Sequence, residues 1–272
     1  MHRTVSNLRF IFISILLGLL FGCATAPTAS TPIPVQSQYK PFRDAPDWLW
    51  TTIPEKDTLI FVTAGARRGN RDTEAYAALE AAALRAGVFA GFWGASQDFV
   101  SSSSQGTGAD SRTRAHYDGA AEDDALANLE PTNLWRTDHA TWVRFQLSLP
   151  EALSCSWTPD YKKGQPTWVY SPPEIPGWKV AVGLGAQQGN EARTLLRAEE
   201  DALAQMVQLL HGKTRTVGLS REATTATWSE SQHSKTTYER GFGEVFGFLV
   251  LARWYDKKGQ CWVLAACPEE KN

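Results

Sequence analysis

No apolar run in this chain of 272 residues approaches the roughly 20 residues a helix needs to cross a hydrocarbon core. The longest, Phe10 to Phe21, is too short to span. Histidine is scarce: beyond His2 in the leader it is scattered at 116, 139, 211 and 233, with no His-x-x-x-His or Glu-paired spacing, so no metal site and no cofactor are expected. No Gly-x-Ser-x-Gly elbow occurs, which leaves a hydrolase triad without support. An excess of basic residues is missing too. The formal net charge is −2, and losing Arg3 and Arg9 with the first 22 residues would take it to about −4. A mildly acidic chain argues against nucleic acid as a partner. No catalytic constellation survives, and the chain is not expected to be an enzyme.

What is present begins at the N-terminus. A basic start (Arg3, Arg9), the short apolar run and the close Leu20-Phe21-Gly22-Cys23 have the form of a secretory signal ending in a small residue. Cysteine directly after Gly22 resembles the bacterial lipobox. Its thiol accepts a diacylglyceryl group as a thioether, and cleavage frees the amine for a further acyl chain, here read as palmitate. One chain holds weakly at about 0.8 kcal/mol per buried methylene, whereas two or more anchor stably. Cys23 is therefore the expected lipidation site, and residues 1–22 the signal peptide. Ala24, in place of the Asp that retains such lipoproteins in the inner membrane, points to the outer membrane, facing the periplasm. Residues 23–45, rich in Ala, Thr, Ser and Pro, read as an extended tether. Cys155, Cys261 and Cys267 remain. Cys261 and Cys267 share one predicted strand and cannot bridge each other there, while a bridge from Cys155 to Cys261 or Cys267 and three free thiols both stay open.

The folded part aligns with itself at a shift of 120 residues. Pro46-Asp-Trp48-Leu-Trp50 falls on Pro166-Thr-Trp168-Val-Tyr170. Val62 to Asn70 falls on Val182 to Asn190, Ala78/Glu80/Ala82 on Ala198/Glu200/Ala202, and Trp142-Val143 on Trp262-Val263. Two tandem repeats follow, 46–151 and 166–272, joined by a connection over 152–165. Each contains a short β-prone run (Leu59 to Ala64; Lys179 to Leu184), a Gly-rich turn, an Asn N-cap (Asn70; Asn190) and a helix of about 20 residues. The apolar helix faces are Ala75, Ala78, Leu79, Ala82, Ala86 and Leu195, Ala198, Ala202, Met206, Leu209. Glu80 and Glu200 fall on the opposite, solvated face. A polar stretch follows each helix (Ser96 to Gly119; Thr214 to Arg240), where Thr-rich patches could be strands and Ser101 to Gly106 reads as a loop, and a β-hairpin closes each repeat. The expected class is α+β, a long helix on a small antiparallel sheet, made twice and as separate copies.

Gly65-Ala-Arg-Arg-Gly69-Asn70 follows a strand and opens a helix, where phosphate binding must be weighed. It lacks the Lys-Ser/Thr of a P-loop and the third Gly of a dinucleotide fingerprint, and its copy carries Gln187 and Gln188. A tight strand-to-helix turn is the expected role, with Arg67 and Arg68 as the residues that would contact an anion. Trp48/Trp168 and Trp142/Trp262 are expected to pack in the core or at its edge rather than form a carbohydrate platform.

The Pro-x-Trp motif, the strand ending near Gly, the Ala-rich helix and the closing Arg253-Trp254-Tyr255-Asp256 and Trp262-Val263-Leu264 hairpin resemble the LPP-twenty family of bacterial lipoproteins. That family's domain is similar to the N-terminal domain of flagellar T-ring proteins. The first repeat departs from the pattern at its end, with Asp138-His139 in place of a clear turn Gly and Arg144-Phe145 in place of Leu-Ala. The resemblance implies a non-catalytic envelope lipoprotein, membrane-bound through its lipid, with envelope or flagellar proteins as partners. The alternative is a lipoprotein that holds glycan or lipid in a cleft.

Overall fold

The fold is that of a computed structural model, which describes residues 39–103, 106–117, 119–153, 155–225 and 228–269, with the backbone alone described over 94–117 and 213–242. Every described residue lies in one compact unit.

A first half runs β1 (Thr58–Ala66), α1 (Arg71–Ala90), β2 (Phe92–Ser103), β3 (Gly106–Tyr117), α2 (Gly119–Asn128), β4 (Glu130–Arg136) and β5 (Ala140–Ser148). A small hairpin, β6 (Tyr161–Lys162) and β7 (Gln165–Pro166), turns through Lys163 and Gly164, both with positive φ, as a two-residue hairpin demands. It lies at the end of the segment read as the connection and runs one residue past it, to Pro166. The second half runs β8 (Trp178–Gly185), α3 (Glu191–His211), β9 (Lys213–Thr225), β10 (Trp228–Val245), β11 (Leu249–Tyr255) and β12 (Cys261–Pro268). The molecule is mixed α+β.

Two three-stranded antiparallel sheets have the orders β1-β5-β4 and β8-β12-β11. Ala64 faces Trp142 in one, and Leu184 faces Trp262 in the other, each pair displaced by 120. Trp135 faces Trp142 and Trp254 faces Trp262; both edge strands carry an irregularity, between Pro131/Asn133 and Val250/Ala252. Each helix lies on its sheet by close approach. A Cβ on Gly65 would collide with the Glu74 carbonyl, and one on Gly185 with the Thr194 carbonyl. Ala78, Ala82, Ala198 and Ala202 are fully buried, as small residues under such a contact must be. Asn70 and Asn190 cap their helices, accepting from the amides of Asp72 and Arg193.

Several expectations are corrected. The tether does not extend to 45: Lys40–Phe42 forms a 3-10 turn and Phe42 is buried, because an aromatic pocket awaits it. Leu209 is exposed, beyond the reach of the sheet that covers Met206. Ser101–Ser103 and Gly106, expected as a loop, belong to β2 and β3, while residues 104 and 105 lie outside the described residues. The halves are not separate copies. Their long hairpins join into one four-stranded sheet, β3-β2-β10-β9, since a two-stranded hairpin alone is marginal in water. Strand β2 pairs β10 from Phe92↔Val245 to Ser102↔Lys235. Helix α2, which follows the first polar stretch, was not anticipated; in the second half β10 instead continues to Val245. Cys155, Cys261 and Cys267 are buried free thiols.

Candidate functional site

The residues with unusual surroundings gather where the two halves meet. Phe42 is the plug. Its ring centroid lies 4.5 Å from that of Tyr255, 5.5 Å from Trp142 and 5.6 Å from both Trp50 and Trp135. Tilted and edge-on ring pairs of this kind are worth about 0.5–1.5 kcal/mol each beyond their area burial. Immediately downstream, Trp50–Thr52 is laid along the outer edge of β11. Thr52 N–H donates to the Leu251 carbonyl (2.8 Å), Arg253 N–H to the Trp50 carbonyl (2.9 Å), and Thr51 bridges Ala252. The guanidinium of Arg253 is buried beneath this strip and donates to the Leu49 carbonyl (2.7 Å) and to Thr52 Oγ1 (3.3 Å). Burial draws its pKa down to about 10, partly offset by the charge of Glu199, so it remains cationic at neutral pH.

Behind the strip, a cavity of about 190 Å³ opens between β1, α1, α3 and the start of β11. Leu84, Val88, Leu196, Leu203, Phe248 and Val250 give it an apolar wall. Arg85 and Glu199 form an ion pair across it, linking α1 to α3. Arg85 Nε, Glu199 Oε1 and Arg253 Nε are buried without a hydrogen-bond partner among the described residues. An oily pocket with unmet polar atoms of both signs could take a small amphiphile, or water.

A second, polar cavity of about 120 Å³ lies beside Tyr39, His139, Glu191 and Tyr255. Tyr255 donates its hydroxyl to the Glu191 carbonyl (2.9 Å). Both carboxyl oxygens of Glu191 are buried and unmet, and burial above all raises its pKa.

The expected site residues lie elsewhere. Cys23 falls outside the described residues. Arg67 donates from its amide to the His139 carbonyl and from its guanidinium to the Asp138 carbonyl, both at 2.8 Å. The Arg68 amide donates to Glu74 Oε1 (2.8 Å), so the anion beside this turn is a carboxylate of the chain itself. Thr141 (2.6 Å) and Arg71 (2.7 Å) also donate to Glu74. The Thr141 bond chiefly, then Arg68 and Arg71, hold its pKa near 2 against the opposing effect of burial. In the second half the Gln188 amide donates to Thr194 Oγ1 (3.0 Å), the same contact made by a neutral residue. The paired Trp positions divide: Trp142 and Trp168 are buried, Trp48 and Trp262 half-buried.

Phe42, Thr52, Arg85 and Glu199 carried no sequence signal of their own. Arg253 did, as the single charge within the apolar run Leu249–Tyr255. Among the described residues no helix is long and apolar enough to cross a membrane, and no group of three His, Cys, Asp or Glu is placed to hold a metal. Comparison with protein-family models, curated proteins and solved structures finds no match.

Proposed function

We propose that this chain is a non-catalytic envelope lipoprotein, anchored in the outer membrane through Cys23 and resembling the LPP-twenty type, whose folded part is a duplicated domain acting as an interaction module for envelope or flagellar proteins. The duplication is supported by the matched sheet orders, the 120-residue registers and the irregularities at corresponding points of β4 and β11. The interaction role rests on one observation: β4 is exposed at every residue but Trp135 and open on its outer edge, with Leu134 half uncovered. A bare sheet edge is a template for pairing with another chain.

Two experiments test this. Cys23→Ser should move the protein from the membrane fraction to the soluble fraction while its circular dichroism is kept; membrane retention of the variant would defeat the single-anchor reading. A photoreactive side chain in place of Asn133 on β4 should give discrete protein adducts in whole envelopes. A second reading, a carrier of lipid or glycan, is favoured by the apolar cavity with its unmet Arg85, Glu199 and Arg253 atoms. Adducts to lipid or glycan from a probe at Leu84, with none to protein from Asn133, would establish that reading instead.

A further inference from the structure

The two halves meet through surfaces of different kinds, and each surface has an unused counterpart on the opposite half. The first half contributes Trp50–Thr52, which pairs β11, and β2, which pairs β10. The second half contributes the receiving edges, β11 and β10. At the 120-residue shift, the counterpart of Trp50–Thr52 is Tyr170–Pro172, and that of β2 is β9. By the matched registers, the counterpart of β11 is β4, and that of β10 is β3. Among the described residues all four counterparts are open: β4, β3 and β9 are outer strands of their sheets, and Tyr170 to Pro172 are exposed.

Burial follows the same division. Trp50 is 1% exposed and Tyr170 72%; Arg253 is 2% exposed and Leu134 49%. Within the chain, the Trp50 carbonyl and the Arg253 amide are hydrogen-bonded to each other. The residues at the corresponding open positions, Tyr170 and Leu134, are both large and apolar, and both stand in solvent. The open surfaces are also consistent in direction. A second copy that laid its Tyr170–Pro172 on β4 would bring its β9 toward β3, repeating both contacts of the internal junction at once.

We propose that copies of this chain assemble head to tail, the second half of one copy docking on the first half of the next through Tyr170–Pro172 on β4 and β9 on β3. The inference rests on the duplication proposed above and names a second copy as the occupant of the open β4 edge. Such a contact is heterologous, so it cannot saturate in a two-fold dimer; it closes as a ring or runs on as a fibre. It is also weaker than the internal junction. Pro172 stands where Thr52 donates to Leu251 and Val250, and has neither an amide hydrogen nor a hydroxyl to offer. The ladder between β9 and β3 is shorter as well, because the chain after Tyr117 turns into α2 where β10 runs on to Val245. Assembly is therefore reversible and concentration-dependent.

Disulfide trapping in membranes holding the lipidated full-length chain tests this. The internal bridge Thr51↔Ala252 corresponds to Ser171 and Asn133 between copies, and bridged antiparallel residues have Cα atoms about 4.5–5.5 Å apart, within disulfide reach. A chain carrying Ser171→Cys and Asn133→Cys should give, on mild oxidation, a ladder of dimer, trimer and higher species. Mixing chains that carry one substitution each should stop at dimer, and neither single variant should crosslink to itself. The three native thiols of the fold are buried and do not compete. Thr51→Cys with Ala252→Cys is the companion measurement and should close within one chain. If it closes while the double variant stays monomeric, or if either single variant dimerises with itself, head-to-tail assembly is wrong and the duplication stands. If it fails to close in a chain with native circular dichroism, the junction and the inference built on it fall together. Tyr170→Asp and Leu134→Asp should each shift the assembled species to monomer in sedimentation velocity.

Discussion

Strands β4 and β11 hold the same place in their sheets, each an outer strand paired with a closing strand, yet every residue of β11 except Val250 is buried and no residue of β4 is. The difference is not one of composition alone. Strand β11 is covered by Phe42, by Trp50–Thr52 along its edge and by the other half of the molecule, while β4 meets Phe42 at Trp135 and, among the described residues, has no strip laid along its outer edge. A charge can be kept inside β11 because Leu49 and Thr52 supply acceptors for Arg253; β4 has Leu134 at the corresponding point and leaves it in water. Matching positions in two sheets of like strand order thus acquire opposite chemistry from what covers them.

The comparison can be broken most severely at the aromatic pair. Trp50→Ala should cost about 3–5 kcal/mol of unfolding free energy, whereas Tyr170→Ala should stay within about 0.5 kcal/mol of neutral in monomeric protein. Urea denaturation of both variants at low concentration measures this, and equal losses would contradict the asymmetry. Exchanging the β4 and β11 residues comes next. Arg253→Leu leaves the Leu49 carbonyl without its buried donor and should cost about 1–3 kcal/mol, while Leu134→Arg on the open edge should be nearly silent. Thermal melting of the two variants would reveal a reversed order if β4 were covered in the monomer.

The helix caps should behave alike in both halves. Asn70→Ala and Asn190→Ala each remove one side-chain acceptor from a helix start and should each cost about 1 kcal/mol, read from urea midpoints. The smallest contrast at neutral pH shows only in acid. Glu74 has its folded pKa near 2 against an ordinary 4.5, so its contribution is complete above the ordinary value and is lost as pH falls from there toward 2. Thr194 makes the matching contact without a titrating group. Glu74→Thr should therefore flatten the acid limb of a stability–pH curve, and an unchanged limb would assign acid sensitivity to other carboxylates.

The division of labour between sequence and fold follows from the range of the interactions. Local signals placed β1, β8, both long helices, their Asn caps and the closing hairpins, because strand runs, capping oxygens and helical spacing act over a few residues. The 120-residue shift was legible for the same reason: the close approaches at Gly65 and Gly185 demand glycine wherever that helix start recurs. Arg67 and Arg68 drew attention as the visible charges of their turn, but the carboxylate that meets it, Glu74, was hidden on the helix that follows. The polar strands β2, β3, β9 and β10 were legible only as Thr-rich patches that could be strands, since their sheet is assembled from hairpins about 120 residues apart and no apolar alternation announces it. Tertiary structure alone decided that Phe42 would leave the tether to plug the junction, that Arg253 would be buried and Leu134 exposed, and that Arg85 and Glu199 would pair across a cavity. Those outcomes depend on contacts between segments up to about 200 residues apart, where burial is set by the partner surface and not by the residue's own neighbours in the chain.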